Sequence, residues 1–422
     1  MRFMLAGVSS GCGKTTATLA MLAALRARGF QGAPFKSGPD YIDPGFHRAA
    51  CGRISHNLDE WLCSPVAVKQ ILKLGSRGAD IAVIEGAMGF YDGLEGGSRC
   101  SAWSLSRSTG TPVILVVDAS GSAASAAATA LGFLRYRTDS GIAGVFVQRA
   151  SSERHYLQVA DAMAGIGLPC VGWLPKDDRL MLPSRHLGLV PAAEQTELRA
   201  KIDLAAGLVR LDVDALKKAA QVPPVDVPDP VFPKILAGKR IALADDEAFS
   251  FIYGANCAAL EGMGAELVRF SPLRDARLPE GIDALWLPGG FPEVFEGPLK
   301  ADREMCASVR AAVDGGLRVY AECGGMLYLA MIGAIPLRWR MTDRLQRFGY
   351  VSVTDADGAA FPAHEFHHSI VEPTAPLATR FTVMKRGEAY REGYVYRNVL
   401  AGYPHLHFFE RPELAGRLFA GT

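Results

Sequence analysis

The run Leu317-Arg-Val-Tyr-Ala-Glu-Cys323-Gly-Gly-Met-Leu-Tyr-Leu329 joins an apolar stretch of strand length to a cysteine, two glycines and a helix-like segment. A sharp strand-to-helix turn presents a nucleophile and tolerates only small neighbours. The N-terminus of the following helix is expected to lower the thiol pKa. A thiol nucleophile also needs a base and an oxyanion hole. Tyr403-Pro-His405-Leu-His407-Phe-Phe409 lies well downstream, and in an extended segment His405 and His407 point to one side. His405 is read as the base, with His407 as a second member or orienter. Leu287-Pro-Gly289-Gly290-Phe291 closes another apolar run. The N–H groups of Gly289, Gly290 and Gly324 suit an oxyanion. A lone cysteine is usually a buried structural one, and a lone histidine a satisfied one. The Gly-Gly after Cys323 and the histidine pair two residues apart favour chemistry.

A second chemistry stands near the N-terminus. Gly7-Val-Ser-Ser-Gly11-Cys-Gly13-Lys14-Thr15-Thr16 links an apolar strand-like run to a helix-like one. Glycines let backbone N–H groups close around phosphate, and a helix N-terminus adds favourable charge. Gly11, Gly13 and Thr16 belong to that cradle, Lys14 would reach the outer phosphates, and Thr15 would hold Mg²⁺. Gly7 stands one residue further out than the usual spacing, because position 8 is Val. ATP and Mg²⁺ are therefore the expected cofactors. Glu85 follows the apolar run 81–84 and should sit at a strand end, where it can ligate the metal or orient a reactant. Asp92 follows in Gly-Phe-Tyr-Asp-Gly. Lys36-Ser-Gly-Pro-Asp40-Tyr41-Ile42-Asp43 sets two aspartates near a lysine in a Gly/Pro loop, which suits metal and substrate binding. Taken singly, such acids more often cap helices or close turns; their order after a P-loop favours function.

These groups need a frame that brings strand ends together. The runs 3–8, 81–87, 112–120 and 141–149 are continuously apolar and rich in Val and Ile, as strands covered on both faces are. Thr15 to Arg28 reads as the helix after the first strand, ending near Gly29. The stretch 221–233 carries five prolines, cannot be a core element and reads as a linker. The strand pattern then restarts at 239–246, 282–290 and 317–325. The expected fold class is α/β, with two doubly wound domains: a P-loop NTPase domain over 1–225, a linker over 226–236 and a second domain over 237–422.

Composition narrows the partners. With 49% hydrophobic and 21% charged residues and a formal net charge of +1, nothing suggests a nucleic-acid or membrane surface. The eight cysteines form no C-x-x-C pair, which fits a reducing, cytoplasmic setting. The N-terminus does not read as a signal peptide. Ser120 to Leu134 is mostly Ala and Ser and reads as a packed helix rather than a membrane span. His364-Glu-Phe-His-His368 matches the zinc-protease string H-E-x-x-H, but flanking Pro362 and Pro373 and β-branched neighbours make it a strand. On a strand those two histidines lie ~13 Å apart, too far to share one zinc.

Taken as an ordered set, these strings resemble the cobyrinic acid a,c-diamide synthases of corrin biosynthesis. The set includes the P-loop, 36–47, 83–93, 182–194, 246–256, 287–293, 321–329, 364–369 and 404–408. The resemblance implies a dethiobiotin-synthetase-like first domain and a second domain like the triad-type, class I glutamine amidotransferases. It places ATP and substrate residues on Lys14, Thr15, Asp40, Tyr41, Ile42, Glu85 and Asp92; the 36–43 loop, as read above, adds Asp43 to Thr15 and Glu85 at the metal. The nucleophile falls on Cys323 and the assisting histidine on His405. Related amidotransferases carry Glu two residues after that histidine; here His407 stands there. Many relatives have Asn near the adenine where this chain has Gln148. Arg185 and His186, within 182–194, are candidates to meet substrate carboxylates. The implied partners are glutamine and a corrin-type tetrapyrrole polycarboxylate, with a homodimer as the assembly. Alternatives are an amidase of another tetrapyrrole, or a P-loop ATPase switch whose second domain is not catalytic. Cobyrinic and cobalt-free hydrogenobyrinic acid both fit as substrate, the latter favoured by likeness to aerobic-pathway members.

Overall fold

The computed structural model describes residues 1–182 and 192–421, and among them the chain forms two compact units. The chain passes from the first to the second between Pro230 and Val231, inside a stretch with neither helix nor strand. Arg185 and His186 lie outside the described residues.

The first unit contains strands β1 (Arg2–Gly7), β2 (Gly32–Ser37), β3 (His56–Leu58), β4 (Ile81–Gly89), β5 (Val113–Asp118), β6 (Ile142–Ala150), β7 (Cys170–Pro175) and β8 (Arg210–Leu211). They form one sheet in the order β3-β2-β4-β1-β5-β6-β7-β8. The pairs are parallel apart from β7 with β8. Every residue of β1 and β2 is buried, which is why their sequences run apolar without alternation. From β1 the chain winds first to one side and later to the other, and ligands bind at such a switch point, outside the strand C-termini. There the P-loop leads into helix α1 (Lys14–Ala27), and the 38–41 loop leads into helix α2 (Ile42–Cys51). Register matters here: Lys36 of β2 and Leu5 of β1 both sit opposite Glu85 of β4. Paired residues in a parallel sheet share a face, so Lys36 and Glu85 point the same way. The Ala-rich segment forms the helix Ala124–Tyr136, and no helix among the described residues is long and apolar enough to cross a membrane.

The second unit contains β9 (Arg240–Ala244), β10 (Glu266–Phe270), β11 (Ala284–Leu287), β12 (Arg318–Glu322), β13 (Leu337–Met341), β14 (Arg347–Thr354), β15 (Ala360–His367), β16 (Ser369–Pro373), β17 (Ala378–Lys385), β18 (Glu388–Tyr396), β19 (Val399–Gly402) and β20 (His405–Leu406). Its main sheet has the order β10-β9-β11-β12-β19-β18-β17-β14-β15-β20. The part from β10 to β19 is parallel and covered by helices, as expected for a doubly wound domain. Antiparallel strands then extend it. Leu285, Leu287, Val319, Ala321, Met326 and Tyr328 lie in its core and fix β11, β12 and the helix Gly324–Met331 against one another. The His364–His367 part of the zinc-like string lies on β15, and His368 follows the strand end. No group of three or more His, Cys, Asp or Glu side chains is placed to hold a metal among the described residues.

Candidate active sites

In the first unit, the strand register and the two helix starts converge on Glu85. Thr15 Oγ1 donates to Glu85 Oε1 at 2.7 Å and Lys36 Nζ donates to the same oxygen at 2.9 Å. Lys36 also pairs with Asp43 Oδ2 at 2.6 Å. His47 Nε2 meets Glu85 Oε2 at 2.8 Å, while its Nδ1 meets Ser55 Oγ at 3.0 Å. All six groups are buried. Burial alone would raise the Glu85 carboxyl, but Lys36 and His47 hold it well below the usual carboxylate range. Burial would lower Lys36, yet Asp43 and Glu85 raise it instead. A cation thus sits between two carboxylates within reach of the P-loop hydroxyl. Such a set of hard oxygen donors fits Mg²⁺, which takes one or two carboxylates and leaves room for phosphate.

The P-loop itself has left-handed backbone at Gly11 (φ 76°) and Gly13 (φ 91°). A Cβ on Gly13 would lie 2.7 Å from Gln148 Nε2, so Gln148 borders the loop directly. Lys14 Nζ donates to Ser9 O at 3.0 Å, curled over the loop. Arg149, itself left-handed at φ 59°, pairs with Asp118 and donates to Gly11 O at 3.1 Å. Thr16 follows in the first turn of α1. Asp40 and Asp92 face backbone: Asp40 Oδ1 accepts from the N–H groups of Ile42 and Asp43, and Asp92 Oδ2 accepts from Gly89 N–H. Tyr41 and Ile42 stand at the start of α2.

In the second unit, Cys323 occupies the turn between β12 and the helix Gly324–Met331, with φ 44° and ψ −102°. A side-chain-bearing residue is held in such backbone only when its surroundings insist on it. Here they do. Cys323 N–H donates to Gly402 O at 2.7 Å, and a Cβ on Gly325 would lie 2.1 Å from Leu287 O. A Cβ on Gly324 would lie 2.8 Å from Gly290 N, and one on Gly289 would lie 2.4 Å from His405 Cε1. The elbow, the Gly289–Gly290 loop and His405 therefore pack on one another through missing side chains. His405 is drawn in by β20, whose residue pairs are His405 with His364 and Leu406 with Ala363.

Two expectations are corrected at this site. His405 Nδ1 meets Glu322 Oε2 at 3.1 Å, so Glu322, the residue before Cys323, is placed to orient the imidazole, where the sequence had offered His407. The ring of His407 lies against Tyr253, with centroids 5.1 Å apart. The strand β20 ends at Leu406, so the alternation that would have set both histidines on one side does not extend to 407. The Cys323 thiol is not lowered: burial pushes it up, and the charge of Glu293 adds to this, while the Gly324 N–H pulls less strongly the other way. One helix N-terminus cannot offset full desolvation of a thiolate.

Sequence reasoning assigned no role to His47, Ser55, Glu322 or Arg149. His47 stands at the end of the 36–47 string, and Glu322 directly precedes Cys323, so both were inside singled-out motifs. Their partners are 38 and 83 residues away in the chain, and no local pattern shows that.

Comparison with known proteins follows the same two-part division. Residues 3–190 match the CobQ/CobB/MinD/ParA nucleotide binding domain, and residues 240–413 match the CobB/CobQ-like glutamine amidotransferase domain. A cobyrinate a,c-diamide synthase of Salmonella typhimurium is 39% identical over 98% of this chain and 96% of its own length. One of Caldanaerobacter subterraneus is 38% identical over 97% of this chain and 96% of its own. A hydrogenobyrinate a,c-diamide synthase of Streptomyces coelicolor is 38% identical over 99% of this chain and 96% of its own.

Proposed function

The chain belongs to the cobyrinate and hydrogenobyrinate a,c-diamide synthases, and from that membership we propose that it uses ATP and glutamine to amidate the a and c carboxylates of a corrin-type tetrapyrrole in cobalamin biosynthesis. The observation that carries this reading is the strained Cys323 elbow, packed on the Gly289–Gly290 loop beside the His405–Glu322 pair. A thiol, an oriented imidazole and backbone N–H groups are what amide hydrolysis through a thioester requires.

The second unit is read as the glutaminase. His405 takes the thiol proton as Cys323 attacks the side-chain amide of glutamine. The N–H groups of Gly289, Gly290 and Gly324 receive the oxyanion. His405 then gives its proton to the departing ammonia, and water releases glutamate from the thioester. The first unit is read as the synthetase. Its P-loop and Lys14 would hold the ATP phosphates, with Gln148 beside the loop. Thr15, Asp43 and Glu85 would hold Mg²⁺, which supplies charge neutralisation at the phosphates. Lys36 and His47 keep Glu85 ionised and aimed. A substrate carboxylate becomes an acyl phosphate, and ammonia displaces phosphate from it. Asp40, Tyr41 and Asp92, at the loops beside Lys36 and Glu85, would border the tetrapyrrole. All eight cysteines are free thiols, which supports a reducing, cytoplasmic setting.

The direct test supplies cobyrinic acid and hydrogenobyrinic acid separately, each with ATP, Mg²⁺ and glutamine, and reads product mass. Gain of two amides on either is the expected result and decides between the two. No mass change on both would overturn the reading.

The His405–Glu322 pair also predicts a pH dependence. Burial pushes Glu322 up to about 8 and His405 down to about 3. A protonated Glu322 donates to Nδ1 and fixes the imidazole proton on Nε2. An ionised Glu322 accepts from Nδ1–H and makes Nε2 the basic nitrogen facing chemistry. Glutamate release at low glutamine should therefore climb as pH rises through about 8. Glu322→Gln should lose that limb and fall by about 100-fold or more, as an orienting carboxylate's loss does elsewhere.

A further inference from the structure

Three carboxylates raise the Cys323 thiol by their charge: Glu293, Glu322 and Glu365. Two have counter-groups. Glu322 meets His405, and Glu365 Oε2 accepts from Tyr390 Oη at 2.5 Å with Lys385 and Arg347 near enough to favour its charge. Glu293 exerts the largest charge effect of the three on the thiol, yet its Oε2 is buried with no hydrogen-bond partner among the described residues. It follows directly on the oxyanion loop in Pro288-Gly-Gly-Phe-Pro-Glu293. Pro292 Cδ lies 2.8 Å from where a Cβ on Gly324 would stand, so the residue directly before Glu293 packs on the elbow. Burial holds its carboxyl up at about 7.

A carboxylate with one oxygen buried and unpartnered is costly to keep ionised, and the arrival of a cation offsets that cost. Glutamine brings such a cation. With its side-chain amide at Cys323, the α-ammonium group stands one side-chain length away and needs an anion. We propose that Glu293 binds the α-ammonium group of the glutamine that Cys323 attacks, and so selects an α-amino acid amide over other primary amides. This rests on the glutaminase reading above. Glu293 is thereby a specificity residue, while Glu322 orients the base.

The test compares glutamine with glutaramate, the same amide without the α-amino group, as substrates of the full-length enzyme, reading ammonia release. Wild-type enzyme should prefer glutamine strongly. Glu293→Gln should lower kcat/KM for glutamine by about 100-fold, mainly through KM, while glutaramate changes by less than about 3-fold, because only the former loses a charge-paired contact. Glu293→Asp should recover part of the preference. A preference for glutamine that survives in Glu293→Gln would overturn the proposal, and so would an equal fall on both amides, which would mean a structural role. Absence of ammonia release from glutamine by the wild-type enzyme would instead sink the glutaminase reading, a different and separable failure.

Discussion

Replacing Cys323 with Ala is expected to abolish glutamine-driven amidation while ammonium salts still support it. Cys323 supplies the thiol at the elbow, and among the described residues of that turn it alone can form a thioester. Loss of a covalent nucleophile lowers turnover on the order of 10⁴-fold or more. The fold should not suffer, because Ala keeps the Cβ that already sits at φ 44°, and the backbone contact with Gly402 involves only the N–H. The synthetase chemistry needs ammonia but not its source. Product mass with glutamine and then with an ammonium salt distinguishes the two cases. If the ammonium-driven reaction disappears as well, Cys323 is structural, or the division of labour between the two units is wrong.

Glu85→Gln is expected to do the reverse, crippling amide synthesis from either ammonia source while glutamate release survives in part. Glu85 takes hydrogen bonds from Thr15 and Lys36 on one oxygen and meets His47 on the other. Gln preserves the shape and removes the charge, so Lys36 loses one of its two ion-paired carboxylates among the described residues and keeps Asp43. Removing one partner of a buried pair costs about 3–5 kcal/mol. A fall in synthesis of roughly 10³-fold is expected from loss of a metal-directed carboxylate. Part of that stability loss will show in thermal unfolding of the first unit, so melting curves must accompany the kinetics. The wild-type carboxyl is held below its unfolded value, so its contribution to stability is complete above the ordinary carboxylate range. It is lost as pH falls through the depressed folded value. The Gln variant should therefore show a flatter acid limb of stability than wild type. Equal synthesis rates in wild type and variant would remove Glu85 from the metal site.

Much of this molecule could be read from local sequence, because local sequence determines what a backbone can do over a few residues. Continuous apolar runs give strands buried on both faces, and they do so at β1, β4, β5 and β6. Gly11, Gly13 and Lys14 state a phosphate loop, since only glycine takes the left-handed backbone at two of those positions without strain. Cys323 followed by Gly324 and Gly325 states an elbow, since a Cβ at either glycine would strike the loop after β11 or that strand's end. Which acids gather around Lys36 could not be read this way. Asp40 and Asp92 hold backbone N–H groups, while Asp43 and Glu85 share Lys36, and the four look alike in sequence.

Sequence by itself pointed to the two chemistries, at the Cys323 elbow and at the phosphate loop, since each is a short string with one workable backbone. Tertiary structure alone decided the partners. Parallel register set Lys36 beside Glu85, and β20 closing on β15 brought His405 to Glu322 rather than leaving it to His407. Tertiary burial also reversed the expected shift of the Cys323 thiol, because the cost of desolvating a thiolate depends on everything packed around it and not on the helix that follows it.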